Sequence, residues 1–199
     1  MWEERYRSSA GYLFGKEPAL FLRDHENLLE PGLSALSVAD GEGRNSVFMA
    51  QKGLEVTAIE FAPSAVDRAR ALATEAGVDV DFRQEDILTR EWEQNAFDLV
   101  VGIFIQFVGP KDREIQFAGM KQATRPGGLV LLHGYRPEQL DYGTGGPPYA
   151  ENMYTEGLLR DAFSTWEVLT CRGYDREVQE GRGHSGMSAL IDLVARKPA

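Results

Sequence analysis

The segment Ser37-Val38-Ala39-Asp40-Gly41-Glu42-Gly43-Arg44-Asn45, followed by a helical pattern and then by Val56-Thr57-Ala58-Ile59-Glu60, carries the residue types of a nucleoside site. Gly41 and Gly43 let the chain bend sharply and approach a ligand where a Cβ would collide. The backbone from Ala39 and Asp40 to Asn45, with the positive end of the helix that follows, can hold the carboxylate and amino group of a small zwitterion. Glu60 lies 17 residues after Gly43, about where an open α/β sheet places the acid that grips a ribose diol through charge-assisted hydrogen bonds. Phe61 follows it and joins the candidate set. Farther on, Asp86 can accept from an exocyclic amine, or else cap a turn, while Ile87 packs on an aromatic base. Ile103, within Gly102 to Gln106, completes the candidate cofactor pocket at a strand end.

A second set could face a reacting partner. Tyr12 and Phe14, with Tyr6 and Gly15, precede the core; they either fold over a bound cation, which aromatic faces favour, or pack under a flanking helix. His133 and Tyr135 end an apolar strand pattern, and Arg182 and His184 sit in a Gly-rich link. His133, Tyr135 and His184 are the candidate catalytic groups for moving a proton, against the alternative that they are hydrogen-bonded structural residues. The Tyr142-Gly143-Thr144-Gly145-Gly146-Pro147-Pro148-Tyr149 stretch reads as a mobile cover or a shaped wall.

The elements that must position these residues alternate strand and helix, the pattern of βαβ units and a mainly parallel sheet. Strands are expected at 34–39, 54–60, 78–83, 97–105 and 129–135. Helices are expected at 44–52, from 62–64 to Ala76 with Gly77 as its stop, and at 111–123. Arg125-Pro126-Gly127-Gly128 reads as a breaker before the fifth strand. Glu17 to Leu29 has helical spacing and looks like a lid or flank. After 136 come a Gly/Pro loop at 143–148, a short helix near 155–162, and strand-like runs at 166–178 and 187–196 joined by a loose hairpin over 180–186. The expected organisation is one domain over 1–199: a flank to 33, a binding core over 34–135, and a substrate loop and closing hairpin over 136–199.

Length and composition fit a soluble globular α/β chain: 199 residues, 43% apolar, 26% charged. No apolar stretch approaches the roughly 18–20 residues needed to cross a bilayer, and the first residues lack a signal pattern, so a cytoplasmic location and no membrane partner are expected. The net charge of −10 argues against nucleic acid as a partner and leaves a small-molecule substrate. Cys171, the only cysteine, reads as a small core residue. The histidines and this cysteine have no metal-ligand spacing, so no metal is expected.

These motifs resemble those of class I S-adenosylmethionine-dependent methyltransferases. Gly41-Glu42-Gly43-Arg44-Asn45-Ser46 is similar to the glycine loop of bacterial tellurite-resistance and thiopurine-type small-molecule methyltransferases. The resemblance implies an α/β fold: a seven-stranded, mainly parallel Rossmann-like sheet with an antiparallel last strand and helices on both faces. It also implies S-adenosylmethionine (SAM) as cofactor across the first, second and fourth strand ends, and methyl transfer to a small molecule, with a thiol or metalloid slightly favoured. Two positions depart from the usual Asp-x-Gly-x-Gly-x-Gly: Ser37 stands where the acid is common, and Ala39 replaces the first glycine. Ser37 supplies no carboxylate, so backbone carbonyls near Ala39 and Asp40, water, or another acid must hold the cofactor's ammonium. The competing readings are a SAM-binding module without chemistry and a dinucleotide oxidoreductase; against the second, Ser46 occupies the place of that fingerprint's third glycine.

Overall fold

A computed structural model describes residues 1–181 and 184–199. Its seven strands form one mixed sheet, in the order Asp81–Gln84, Glu55–Glu60, Ser34–Val38, Phe97–Ile103, Thr124–Tyr135, His184–Arg196, Glu167–Glu180, with parallel and antiparallel pairs. Among the described residues no helix is long and apolar enough to cross a membrane. The chain falls into two compact units.

The first unit takes Met1–Arg90 with Glu180 and Gly181. Its strands β1 (Ser34–Val38), β2 (Glu55–Glu60) and β3 (Asp81–Gln84) are parallel, with Val38 opposite Ile59 and Glu60 opposite Gln84. The apolar run of β1 is buried along Ala35–Val38, as a strand covered on both faces requires. Helix α3 spans Arg44–Gln51 and α4 spans Pro63–Ala76, with proline in the first turn of α4, where its missing N–H costs nothing. Gly77 ends α4 at φ +68°. The third strand starts later than its apolar pattern suggests because Val78 N–H bonds back to Ala73 O and closes the helix.

The flank differs from its expected single helix. Trp2–Ser8 forms α1, its acids in the first turn and arginines in the last, which suits the helix dipole. Leu20–Asp24 forms only a short α2, followed by a 3-10 turn at Glu26–Leu28. Pro18 forces the chain before α2 to be extended, and at its far end His25 Nδ1 lies 2.8 Å from Phe21 O and competes for that carbonyl.

The second unit takes Glu91–Gln179 with His184–Ala199. β4 (Phe97–Ile103) pairs parallel with β5 (Thr124–Tyr135), α5 (Pro110–Ala123) links them, and β5 pairs antiparallel with β7 (His184–Arg196). The Arg125–Gly128 breaker does not precede β5 but lies inside it. Phe97 pairs with Thr124 and Leu99 with Leu129, so the extra residues are absorbed as an irregularity of the ladder, with Gly127 at φ +77°. A short α6 (Gln139–Tyr142), a 3-10 turn (Ala150–Asn152) and α7 (Glu156–Ala162) precede β6 (Glu167–Glu180). Thr155 caps α7 by accepting the Leu158 N–H at 3.2 Å. Of the expected 180–186 link, Glu180 ends β6 and His184 begins β7, while Arg182 and Gly183 lie outside the described residues.

Candidate functional site

The turn after β1 is built around two buried carboxylates. Asp40 accepts from Ser37 Oγ at 2.6 Å and from Ser46 Oγ at 2.5 Å. Glu60, at the end of β2, accepts the Gly41 N–H at 2.9 Å through one oxygen and the Ala62 N–H at 2.9 Å through the other. Burial raises the pKa of both groups above the ordinary carboxylate values, opposed by these hydrogen bonds. Neither has an ion-pair partner among the described residues. The turn therefore concentrates negative charge in a dry place, an environment suited to a cation.

The backbone here is unusual. Ala39 holds φ +49°, a left-handed conformation at the position where glycine is customary, and Gly41 and Gly43 hold φ +66° and +91°. Packing alone requires a glycine at 43: a Cβ there would stand 2.8 Å from Ala69 of α4. At Gly41 the neighbour is Tyr6, whose hydroxyl would lie 3.1 Å from an added Cβ. Tyr6 is 5% exposed, and burial and the charges of Glu60, Glu42 and Asp40 hold its phenol protonated. α1 is docked by Glu3, which accepts from Ser64 N and Oγ at 3.0 and 2.5 Å. Phe61, beside Glu60, is 62% exposed, an aromatic face open for stacking.

Several candidate residues take partners within the protein frame. The Asn45 side-chain oxygen accepts the Ala19 N–H at 2.9 Å, so it anchors the start of α2. Tyr12 packs against Val47, Leu72 and Ala73 and its hydroxyl donates to Arg68 O at 3.1 Å, the flanking alternative to a ligand role. Phe14 packs with Trp2, Tyr6, Ala62 and Ala65. Asp86 Oδ1 accepts the Leu88 N–H at 2.9 Å and so caps a turn, while Ile87 is buried. Two ion pairs complete the frame: Glu42 with Arg68 at 2.6 Å, and Arg44 with Glu180 at 2.7 Å, the second almost wholly buried.

The second unit brings the three candidate catalytic residues together. Ile103 ends β4 opposite His133, and the next residue, Phe104, adopts φ +56°. Its ring stacks on His184 at 4.1 Å, meets His133 edge-on at 4.8 Å and lies 4.8 Å from Tyr135. His133 Nδ1 is 2.6 Å from Asp192 Oδ1, to which Tyr174 also donates at 3.1 Å. The Tyr135 hydroxyl bonds His184 Nδ1. Gln106 clamps Tyr135 from both sides, its amide donating to the carbonyl and its oxygen accepting the N–H. Asp192 and Phe104 were not among the residues singled out above. The signal for Asp192 was a lone acid in the apolar run Ala189-Leu190-Ile191-Asp192-Leu193-Val194, a charge that needs a buried partner.

Comparison with known proteins gives a consistent result. Residues 35–128 match the family profile described as a methyltransferase domain. A ubiquinone biosynthesis O-methyltransferase of Xanthomonas axonopodis pv. citri is 43% identical over 106 residues, 52% of this chain and 44% of that protein. A carboxy-S-adenosyl-L-methionine synthase of Vibrio campbellii is 30% identical over 114 residues, 56% of this chain and 45% of that protein. The chain thus spans about half the length of these curated relatives. TehB from Haemophilus influenzae has the same fold, with a TM-score of 0.74 at 18% identity over 98% of this chain and 65% of that one.

Proposed function

We propose that this chain is a class I S-adenosylmethionine-dependent methyltransferase, a reading that its match to the methyltransferase-domain profile supports, and that it moves the methyl group of SAM to a small-molecule acceptor in the cytoplasm. The observation that carries the proposal is the meeting of Glu60 with the Gly41 amide: the acid of the second strand and the backbone of the first turn form one cradle. The residues fit the cofactor's chemistry. Asp40 and Glu60 offer buried, hydrogen-bonded carboxyl groups to a cationic nucleoside, Phe61 an open aromatic face, and Tyr6 a protonated hydroxyl beside the turn.

Ser37, in the place of the usual acid, is answered by Asp40. Its carboxylate reaches back to the Ser37 hydroxyl, so a negative charge occupies the same neighbourhood from three positions along. On this reading Asp40 is the acid that holds the cofactor's ammonium, and Glu60 holds the ribose hydroxyls.

When bound, the cofactor supplies an electrophilic methyl on a sulfonium. The chain then has to exclude water, align the acceptor and, for a protic acceptor, remove a proton. His133 held by Asp192, and His184 held by Tyr135, supply proton-accepting groups on either side of Phe104. These pairs favour an acceptor that loses a proton, a thiol or hydroxyl, over a metalloid oxyanion. SAM turnover against matched panels of thiols, phenols, tellurite and selenite tests the choice. SAM binding with no turnover on any panel would favour the module without chemistry.

A further inference from the structure

Arg113 stands apart from the other buried cations. It lies on α5, one turn past the start of that helix at Pro110, and is 9% exposed. Its Nη1 donates to the Glu151 carbonyl at 2.7 Å, and no carboxylate pairs with it among the described residues. Arg44, equally buried, has Glu180 at 2.7 Å. A guanidinium taken out of water without a counter-charge is costly, because one carbonyl returns only part of the lost hydration.

The neighbouring groups are also unsatisfied. The Tyr154 hydroxyl, on a fully buried side chain, has no hydrogen-bond partner, and it feels the Arg113 charge. Gln116, one helical turn after Arg113, is fully buried, and its side-chain oxygen has no partner while its amide donates weakly to Ile105 O at 3.4 Å. Beside the Arg113 guanidinium, one enclosed donor and one enclosed acceptor are thus left to spare. Apolar rings wall the place: Phe117 lies 5.7 Å from Tyr154.

This cluster is tied to the histidine-bearing end of the unit. Tyr154 N–H bonds the Tyr135 carbonyl at 3.0 Å, Ile105 follows Phe104, and Met153 packs in one cluster with Tyr135 and Phe104. We infer that Arg113 and Tyr154 form an anion subsite that anchors a carboxylate of the methyl acceptor, with Gln116 accepting from a donor hydrogen on the same molecule. The inference rests on the methyltransferase reading for the word acceptor, while the anion subsite itself does not.

The test uses the full-length protein and two probes of equal shape, benzoate and benzamide, titrated by calorimetry into wild type, Arg113→Met and Arg113→Lys. Saturable benzoate binding that weakens about tenfold or more in Arg113→Met, and less in Arg113→Lys, supports the subsite, with benzamide showing no such dependence on residue 113. Melting temperature is the second readout. A subsite held ready for an anion predicts that Arg113→Met melts at or above the wild-type temperature, since an uncompensated charge is removed. A fall of several degrees in that variant means that Arg113 serves the fold and overturns the inference. So does the absence of benzoate binding to the wild type, or binding that survives Arg113→Met. Failure of the wild type to bind SAM, measured separately, would remove the methyltransferase reading and leave the benzoate result standing.

Discussion

Glu60 Oε2 accepts the Gly41 amide at 2.9 Å, while across the same turn the Asp40 carboxylate accepts from the Ser37 and Ser46 hydroxyls and from the Ser46 backbone. Burial raises both pKa values above the ordinary 3.8 and 4.5. For an acid whose folded pKa is raised, the anion is the strained form. The free protein therefore loses stability as pH rises through the raised values and regains it as pH falls toward the unfolded ones. A cation bound there favours ionisation, so SAM affinity should strengthen as pH rises through that window, with protons released on binding. Calorimetry in buffers of different ionisation enthalpy, from about pH 5 to about pH 8, measures the release. Affinity and proton count independent of pH would separate these acids from the cofactor.

The His133 and Asp192 contact at 2.6 Å is a positioning arrangement with a kinetic signature. His133→Ala should lower kcat by about 100-fold for a protic acceptor, the usual worth of a placed base. Asp192→Asn keeps the shape of the contact and removes its charge, and should lower kcat while leaving the KM for SAM in place. Tyr174→Phe, which deletes the other donor to Asp192, should lower kcat less. Unchanged kcat in His133→Ala would leave alignment alone as the source of rate.

Within the first unit the buried Arg44 and Glu180 pair at 2.7 Å, and Glu180 also accepts the Leu20 N–H at 3.0 Å. Removing one partner strands the other charge. Arg44→Met or Glu180→Leu alone should cost about 3–5 kcal/mol in urea unfolding, and the double variant should recover much of that loss. Additive losses would show that the two side chains act separately.

Gly43 is fixed by Ala69. An alanine there meets Ala69 Cα and Cβ at 2.8 Å and must also hold φ +91°. Gly43→Ala should lose about 1–3 kcal/mol of stability, measured by urea unfolding. Gly43→Ala combined with Ala69→Gly should regain only the share due to the Ala69 Cβ, since the clash with the Ala69 Cα and the positive φ remain. Wild-type stability in the single variant would contradict the packing account.

The central fold was legible because buried parallel strands and amphipathic helices write their periods directly: β1, β2, β4, α3, α4 and α5 fall within about two residues of the pattern. Boundaries slipped where local hydrogen bonding overrode apolarity, as at Val78, which closes α4, and at Arg125–Gly128, absorbed into β5. In the candidate site, the place of Glu60 at the end of β2 was readable from spacing, since a strand end has one address. The partners of Asn45, Tyr12 and Asp86 were not, because a polar side chain near a loop can bond any of several backbone groups, and the fold brings it to Ala19, Arg68 and Leu88. Phe104 and Asp192 were missed because their meeting with His133 is set by strand pairing between distant segments.

Titrating SAM into the wild-type protein and Glu60→Ala, with melting temperature recorded for both, bears most directly on the whole account. Saturable uptake by the wild type is expected, weakened in the variant by roughly 2 kcal/mol, about 30-fold, with the variant still folded. No uptake by the folded wild type at millimolar SAM, or equal affinity in the two proteins, would contradict it.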